Sequence, residues 1–167
     1  MVAILFTLCF LVVFLMTKSY QYFSKYYSTI LYVSLVALGY PLVCRGYMVW
    51  SFNDWGHFTD KANELMQAVI LFPSITVLFL RFLPQRIWTR ALYFLGFFSI
   101  FAVMELYMIA RNEIFYQHGW NYGWSLFIDF CLFALLWIHA KSWNTALILS
   151  LCILIFLVIV FRVPVTG

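Results

Sequence analysis

Long apolar runs, each about the length of a helix that crosses a bilayer, dominate the chain and leave few folds open to it. A hydrocarbon core roughly 30 Å thick takes about 20 residues of helix. The runs are Met1–Thr17, Thr29–Trp50, Ala62–Leu80, Ala91–Ala110, Asn121–Ile138 and Thr145–Phe161. They predict an all-α polytopic integral membrane helical bundle of about six transmembrane helices, with five as the smaller count.

Composition agrees, since 66% of the residues are hydrophobic, 10% are charged and the mean hydropathy is +0.97. No soluble domain has that balance. A linker, low-complexity tract or internal repeat is nowhere evident, so Met1–Gly167 reads as a single transmembrane domain. The net charge of +4 is scattered near run ends and forms no basic stripe, which argues against nucleic acid. Cys9, Cys131 and Cys152 fall inside apolar runs and Cys44 near the end of one, without CxxC spacing. They read as small packed residues, neither disulfides nor metal ligands.

The first run reads as a retained span, because no basic segment precedes it and no small-residue cleavage site follows. A tyrosine-rich belt at Lys18–Ser28 suits a headgroup zone. Gly39 and Pro41 predict a kink near Tyr40, and Pro73 lies within the third run. Ser51–Lys61 reads as a polar aromatic loop, Arg81–Arg90 as a basic loop and His139–Asn144 as a tight turn.

Basic residues then divide the loops into two sets. Lys18, Lys25, Arg81, Arg86, Arg90 and Lys141 fall on one side; Arg45, Lys61, Arg111 and Arg162 fall on the other with Asp54, Asp60, Glu64 and Glu113. The richer side is expected inside, which puts both termini outside.

Polar chemistry concentrates in Arg111–Asp129 and in ionisable residues at span depth. At roughly 1.5 Å per residue, Arg45 and Glu105 sit ~7 Å from their outer helix ends, Asp129 sits ~12 Å deep, and Glu64 is near the surface. One intramembrane cluster of Arg45, Glu64, Glu105 and Asp129 is the candidate functional group. Two readings stay open for the acids: a structural polar lock of protonated carboxyls, or a path for protons or ions. Arg45 either joins them or snorkels to the headgroups. Ser125 shares a face with Asp129.

His118, Gly119, Trp120 and Asn121 form the expected outer cap, with Gly119 and Gly123 easing the turn and Trp120 and Trp124 anchoring the helix end. His118 and His57 alone make too small a set for a metal, and His139 belongs to the inner interface. No serine has a base at catalytic spacing, and no HExxH or phosphate-binding glycine loop occurs. Neither a cofactor nor a catalytic residue is expected.

Several segments together resemble a family of small multi-pass membrane proteins of Bacillus- and Clostridium-type spore-forming bacteria. They are Lys25–Tyr32, Glu64-Leu65 with Phe72-Pro73, Tyr116–Asn121 with Trp124-Ser125, His139, and Val163-Pro164. The Tyr-x-His-Gly-Trp segment is the most specific of them. The resemblance implies a bacterial plasma membrane location and, as that family has no established activity, no mechanism.

The expectation is therefore a non-enzymatic membrane component that binds a partner or assembles with itself, its partners being the bilayer and a second copy or another membrane protein. A small transporter or channel using Glu105 and Asp129 is the alternative, slightly favoured by the prolines at 41 and 73. An intramembrane enzyme is the third reading.

Overall fold

A computed structural model describes residues 2–44, 46–53 and 59–164. Within them run helices α1 (Val2–Met16), α2 (Tyr27–Val43), α3 (Asp60–Arg81), α4 (Ile87–Ala110), α5 (Tyr122–Lys141) and α6 (Trp143–Val160). Two short strands, β1 (Trp50–Phe52) and β2 (Ile114–Tyr116), pair antiparallel, with Trp50 opposite Tyr116 and Phe52 opposite Ile114. The fold is an all-α bundle with almost no sheet.

Among the described residues, five helical stretches are long and apolar enough to cross a membrane: Ser24–Val43, Asp60–Arg81, Ile87–Ala110, Tyr122–Lys141 and Trp143–Val160. By this measure the count is the smaller of the two expected. Helix α1, with 15 residues, spans only ~22 Å at 1.5 Å per residue.

Helix α3 is the axis of the bundle. Over half of its apolar window is buried, against 11% for α4 and 6% for α6. Ala68, Ile75, Thr76, Val77 and Phe79 of α3 are fully buried, with α1, α2 and α5 packed along the helix and rings of α4 against Phe79. Aromatic edges fill the adjoining space: Phe79 and Phe101 both pack on Phe133 at 5.2 Å, and Phe6 of α1 reaches Phe101 at 5.3 Å. Burying one ring against such neighbours contributes roughly 1.5–3 kcal/mol in water, and in lipid the packing contacts themselves supply the gain.

The two prolines are accommodated differently. Pro73 follows a π-helical turn, Gln67–Leu71, in which the Phe72 N–H donates to the Gln67 carbonyl. The wider turn makes room for a ring that offers no N–H, and α3 continues. Near Pro41 a kink was expected in a span reaching Trp50. Instead α2 ends at Val43, and Trp50 belongs to β1. Gly46 has φ +79, a left-handed conformation open to glycine, and it turns the chain toward the strand.

Other helix ends follow ordinary capping chemistry. Thr59 accepts from the Ala62 N–H at the start of α3. Past α4, Asn112 at φ 56 lets the Glu113 N–H reach back to the Met108 carbonyl at 2.8 Å. The expected turn His139–Asn144 is shorter than anticipated: α5 runs on to Lys141, and only Ser142 separates it from α6.

Candidate functional site

The ladder closes one end of the bundle, and Tyr40 at the end of α2 fixes it there. The Tyr40 hydroxyl donates to the Trp50 carbonyl at 2.8 Å and accepts from the Trp50 and Val49 N–H groups at 3.0 and 3.1 Å. Its ring lies parallel to that of Trp50, with centroids 5.2 Å apart. Beyond the paired residues, Gln117 N–H donates to Val49 O and Asn53 N–H to Glu113 O, so the pairing extends on both sides. Asp60 accepts from the Phe52 N–H at 2.8 Å, tying β1 to the start of α3. Across the same end, the Val2 N–H of α1 donates to Glu113 Oε2 at 2.7 Å, and Phe161 and Val163 after α6 pack with Trp120 and Val49. Val2 and Val163 thus both lie at the ladder end.

Beneath the ladder sits Glu105 of α4. The Tyr116 hydroxyl donates to Glu105 Oε1 at 2.7 Å, and Ser125 of α5 lies beside both side chains. Trp120 Nε1–H donates to Ser125 Oγ at 2.9 Å. Two hydrogen-bonded pairs, Trp120 with Ser125 and Tyr116 with Glu105, therefore form one partly buried polar group. Burial pushes the Tyr116 phenol above its ordinary value of 10.0, and the adjacent Glu105 carboxyl adds to the rise.

Glu105 opens onto a cavity of about 870 Å³ between α2, α3, α4, α5 and α6. Most of its wall is apolar, and the exposed side chains of Leu35 and Val36 on α2 face it together with Leu151 and Leu154 on α6. The cavity thus opens sideways between those two helices. At the far end it is closed by a hydrogen bond between the Tyr32 hydroxyl and Ser150 Oγ, and by His139, whose Nδ1 lies 3.0 Å from Thr29 Oγ1.

Glu64, Glu105 and Asp129 all line this cavity near the ladder end. Asp129 has no hydrogen-bond partner among the described residues, and it lies close enough to Glu105 for their charges to interact. Glu64 Oε1 is buried without a partner. No lysine or arginine is found among the described residues of the lining. Nor do the described residues contain a group of three or more His, Cys, Asp or Glu able to hold a metal.

The sequence-predicted residues thus separate into distinct roles. Arg45 lies outside the described residues, as does His57. Glu105, Asp129 and Glu64 share the cavity wall. In the expected cap, Trp120 is buried under the ladder and Asn121 caps α5, its Oδ1 accepting from the Gly123 and Trp124 N–H groups. His118 at φ 54 and Gly119 at φ 83 form the turn before it; the His118 ring is exposed and stacks on Tyr47 with centroids 3.7 Å apart. His118 is therefore a surface element of the cap. Ser125, expected beside Asp129, bonds to Trp120 instead. Tyr116 and Tyr40 were missed as polar partners, because in a chain this rich in tyrosine nothing local distinguishes them from interfacial rings.

Fold and site define a class: an all-helical bundle with five helices able to cross a membrane and a carboxylate-bearing lateral cavity. No protein-family model, curated protein or solved structure matches the chain.

Proposed function

We propose that this chain is an integral membrane protein that binds, without converting it, a single-chain amphiphile bearing a cationic headgroup. The observation that carries the reading is the Asp129 carboxylate, which lines the cavity with no hydrogen-bond partner among the described residues. An unpaired acid below a membrane surface is costly, and a ligand cation offsets that cost. The membrane setting is supported by apolar side chains turned outward along α4 and α6, such as Leu92, Leu95, Val103, Ile148 and Ile159, which only lipid solvates without penalty.

The cavity of about 870 Å³ lies within the usual range of roughly 300–1,000 Å³ for small-molecule sites. A bacterial plasma membrane location rests on the Tyr-x-His-Gly-Trp resemblance, and the placement of the ladder end outside rests on the distribution of basic residues.

The test is binding of a long-chain primary amine by the purified protein in nonionic detergent, beside the alcohol and carboxylate of equal chain length. The amine is expected to bind more tightly than either, with the preference lost in Asp129→Asn. Equal affinity for amine and alcohol overturns the reading. A transport role is the second reading, supported by the lateral opening; it requires proteoliposomes to accumulate the amine, with accumulation abolished in Glu105→Gln.

A further inference from the structure

At the end opposite the ladder, a separate pocket of about 330 Å³ lies between the α3–α4 connection, the first turn of α4 and the last turn of α5. Arg90 and Lys141 line it, and both charges lie within 5.5 Å of the Trp137 ring centroid. The connection fixes the Arg90 guanidinium: Nε donates to the Pro84 carbonyl at 3.0 Å and Nη2 to the Gln85 carbonyl at 2.7 Å. Its Nη1 makes no hydrogen bond among the described residues, and neither does Lys141 Nζ.

Among the described residues, the surroundings offer these cations no carboxylate. Asp60, Glu64, Glu105, Glu113 and Asp129 all belong to the ladder end. The neighbouring Arg81 is already committed to the Thr17 carbonyl and to Ser19 Oγ. Leu80, Leu83 and Ala140 give the pocket an apolar side, and Tyr26, Pro84 and Gln85 complete its lining. Cations held over an aromatic ring beside an apolar wall, where helices end, match the two halves of a membrane lipid.

We infer that this pocket binds the phosphate headgroup of an anionic phospholipid, with Arg90 and Lys141 as its ligands and Leu80 and Leu83 against the adjoining acyl chain. Arg90 presents a preoriented planar donor, and Lys141 adds a mobile point charge. The inference rests on the membrane setting but is independent of the lateral cavity.

The experiment measures the midpoint of thermal unfolding, for the full chain in nonionic detergent, against added phosphatidylglycerol, phosphatidylcholine or inorganic phosphate. Phosphatidylglycerol is expected to raise the midpoint saturably, and the other two are not. Lys141→Gln, at an exposed position, is expected to keep the lipid-free midpoint and to weaken the apparent affinity about fivefold. Lys61→Gln, at the ladder end, is expected to leave the affinity unchanged. An equal rise with phosphatidylcholine, or an unaltered affinity in Lys141→Gln, overturns the site; an equal rise with inorganic phosphate overturns the lipid as its source. Failure of the membrane setting itself has a different signature, release of the protein from membranes by alkaline carbonate without detergent.

Discussion

The Tyr116 hydroxyl donates to Glu105 Oε1 at 2.7 Å, joining the last residue of β2 to the carboxylate that faces the cavity. Ladder and cavity are therefore coupled through one hydrogen bond to a half-buried acid. Hydrogen bonds to charged groups contribute roughly 1.5–3 kcal/mol, so Tyr116→Phe is expected to destabilise the protein by about 2 kcal/mol. Chemical denaturation in detergent, compared with wild type, measures it. A loss below about 0.5 kcal/mol contradicts the coupling.

The same phenol sets an alkaline limit. Its folded pKa lies above the ordinary value of 10.0, because burial and then Glu105 disfavour the phenolate. Below pH 10 both folded and unfolded forms are neutral, and this contribution to stability is fully present. As pH rises past 10 the unfolded phenol ionises first, so stability falls. Tyr116→Phe is expected to show a shallower decline between pH 10 and 11 than wild type, read from the unfolding midpoint at each pH; parallel profiles exclude the phenol.

Tyr40 holds the ladder to α2 through three hydrogen bonds on one hydroxyl. Removing that oxygen orphans the N–H groups of Val49 and Trp50, each costing about 1–3 kcal/mol when buried. Tyr40→Phe is accordingly expected to lose about 2–4 kcal/mol and to raise amide exchange at Val49 and Trp50 ahead of the helices. Uniform exchange across the protein in this variant contradicts a localised anchor.

These tyrosines mark the boundary of what the residues alone disclose. Apolar runs located every helix, because in a bundle of this composition length and hydropathy decide the element. The acids at 64, 105 and 129 stood out for the same reason, being expensive where they are. The strands did not stand out: Trp50–Phe52 is apolar enough to prolong the preceding run, and a three-residue strand offers too little alternation to read. Nor did the cavity, which arises from the gap between α2 and α6, a tertiary relation that neither helix encodes by itself. Partner choice was hidden likewise, since Ser125 lies one turn from Asp129 yet bonds with Trp120, four residues after Tyr116.

Glu113 draws α1 into the fold by accepting from the Val2 N–H, 111 residues away in sequence. A carboxylate there satisfies an otherwise unpaired donor of the first turn and complements the helix dipole. Glu113→Ala is expected to cost about 1–3 kcal/mol and to increase proteolysis near α1. Limited proteolysis followed by mass mapping checks it; cuts confined to other segments contradict the role.

Asp129 distinguishes a binding group from a structural one by the sign of its effect. If the carboxylate served only to hold helices together, replacing it with an apolar residue of similar size would destabilise the bundle. It has no hydrogen-bond partner among the described residues, and its nearby acid is Glu105, which supplies no compensating charge. Removing an unpartnered carboxyl from a mostly apolar cavity wall relieves a penalty on the order of 2 kcal/mol. Asp129→Leu is therefore expected to raise the unfolding midpoint while abolishing the preference for a long-chain amine over its alcohol. Stability and binding are measured on the same preparation, so a lowered midpoint assigns the residue to packing, and a raised midpoint with retained amine preference moves the cation site away from Asp129.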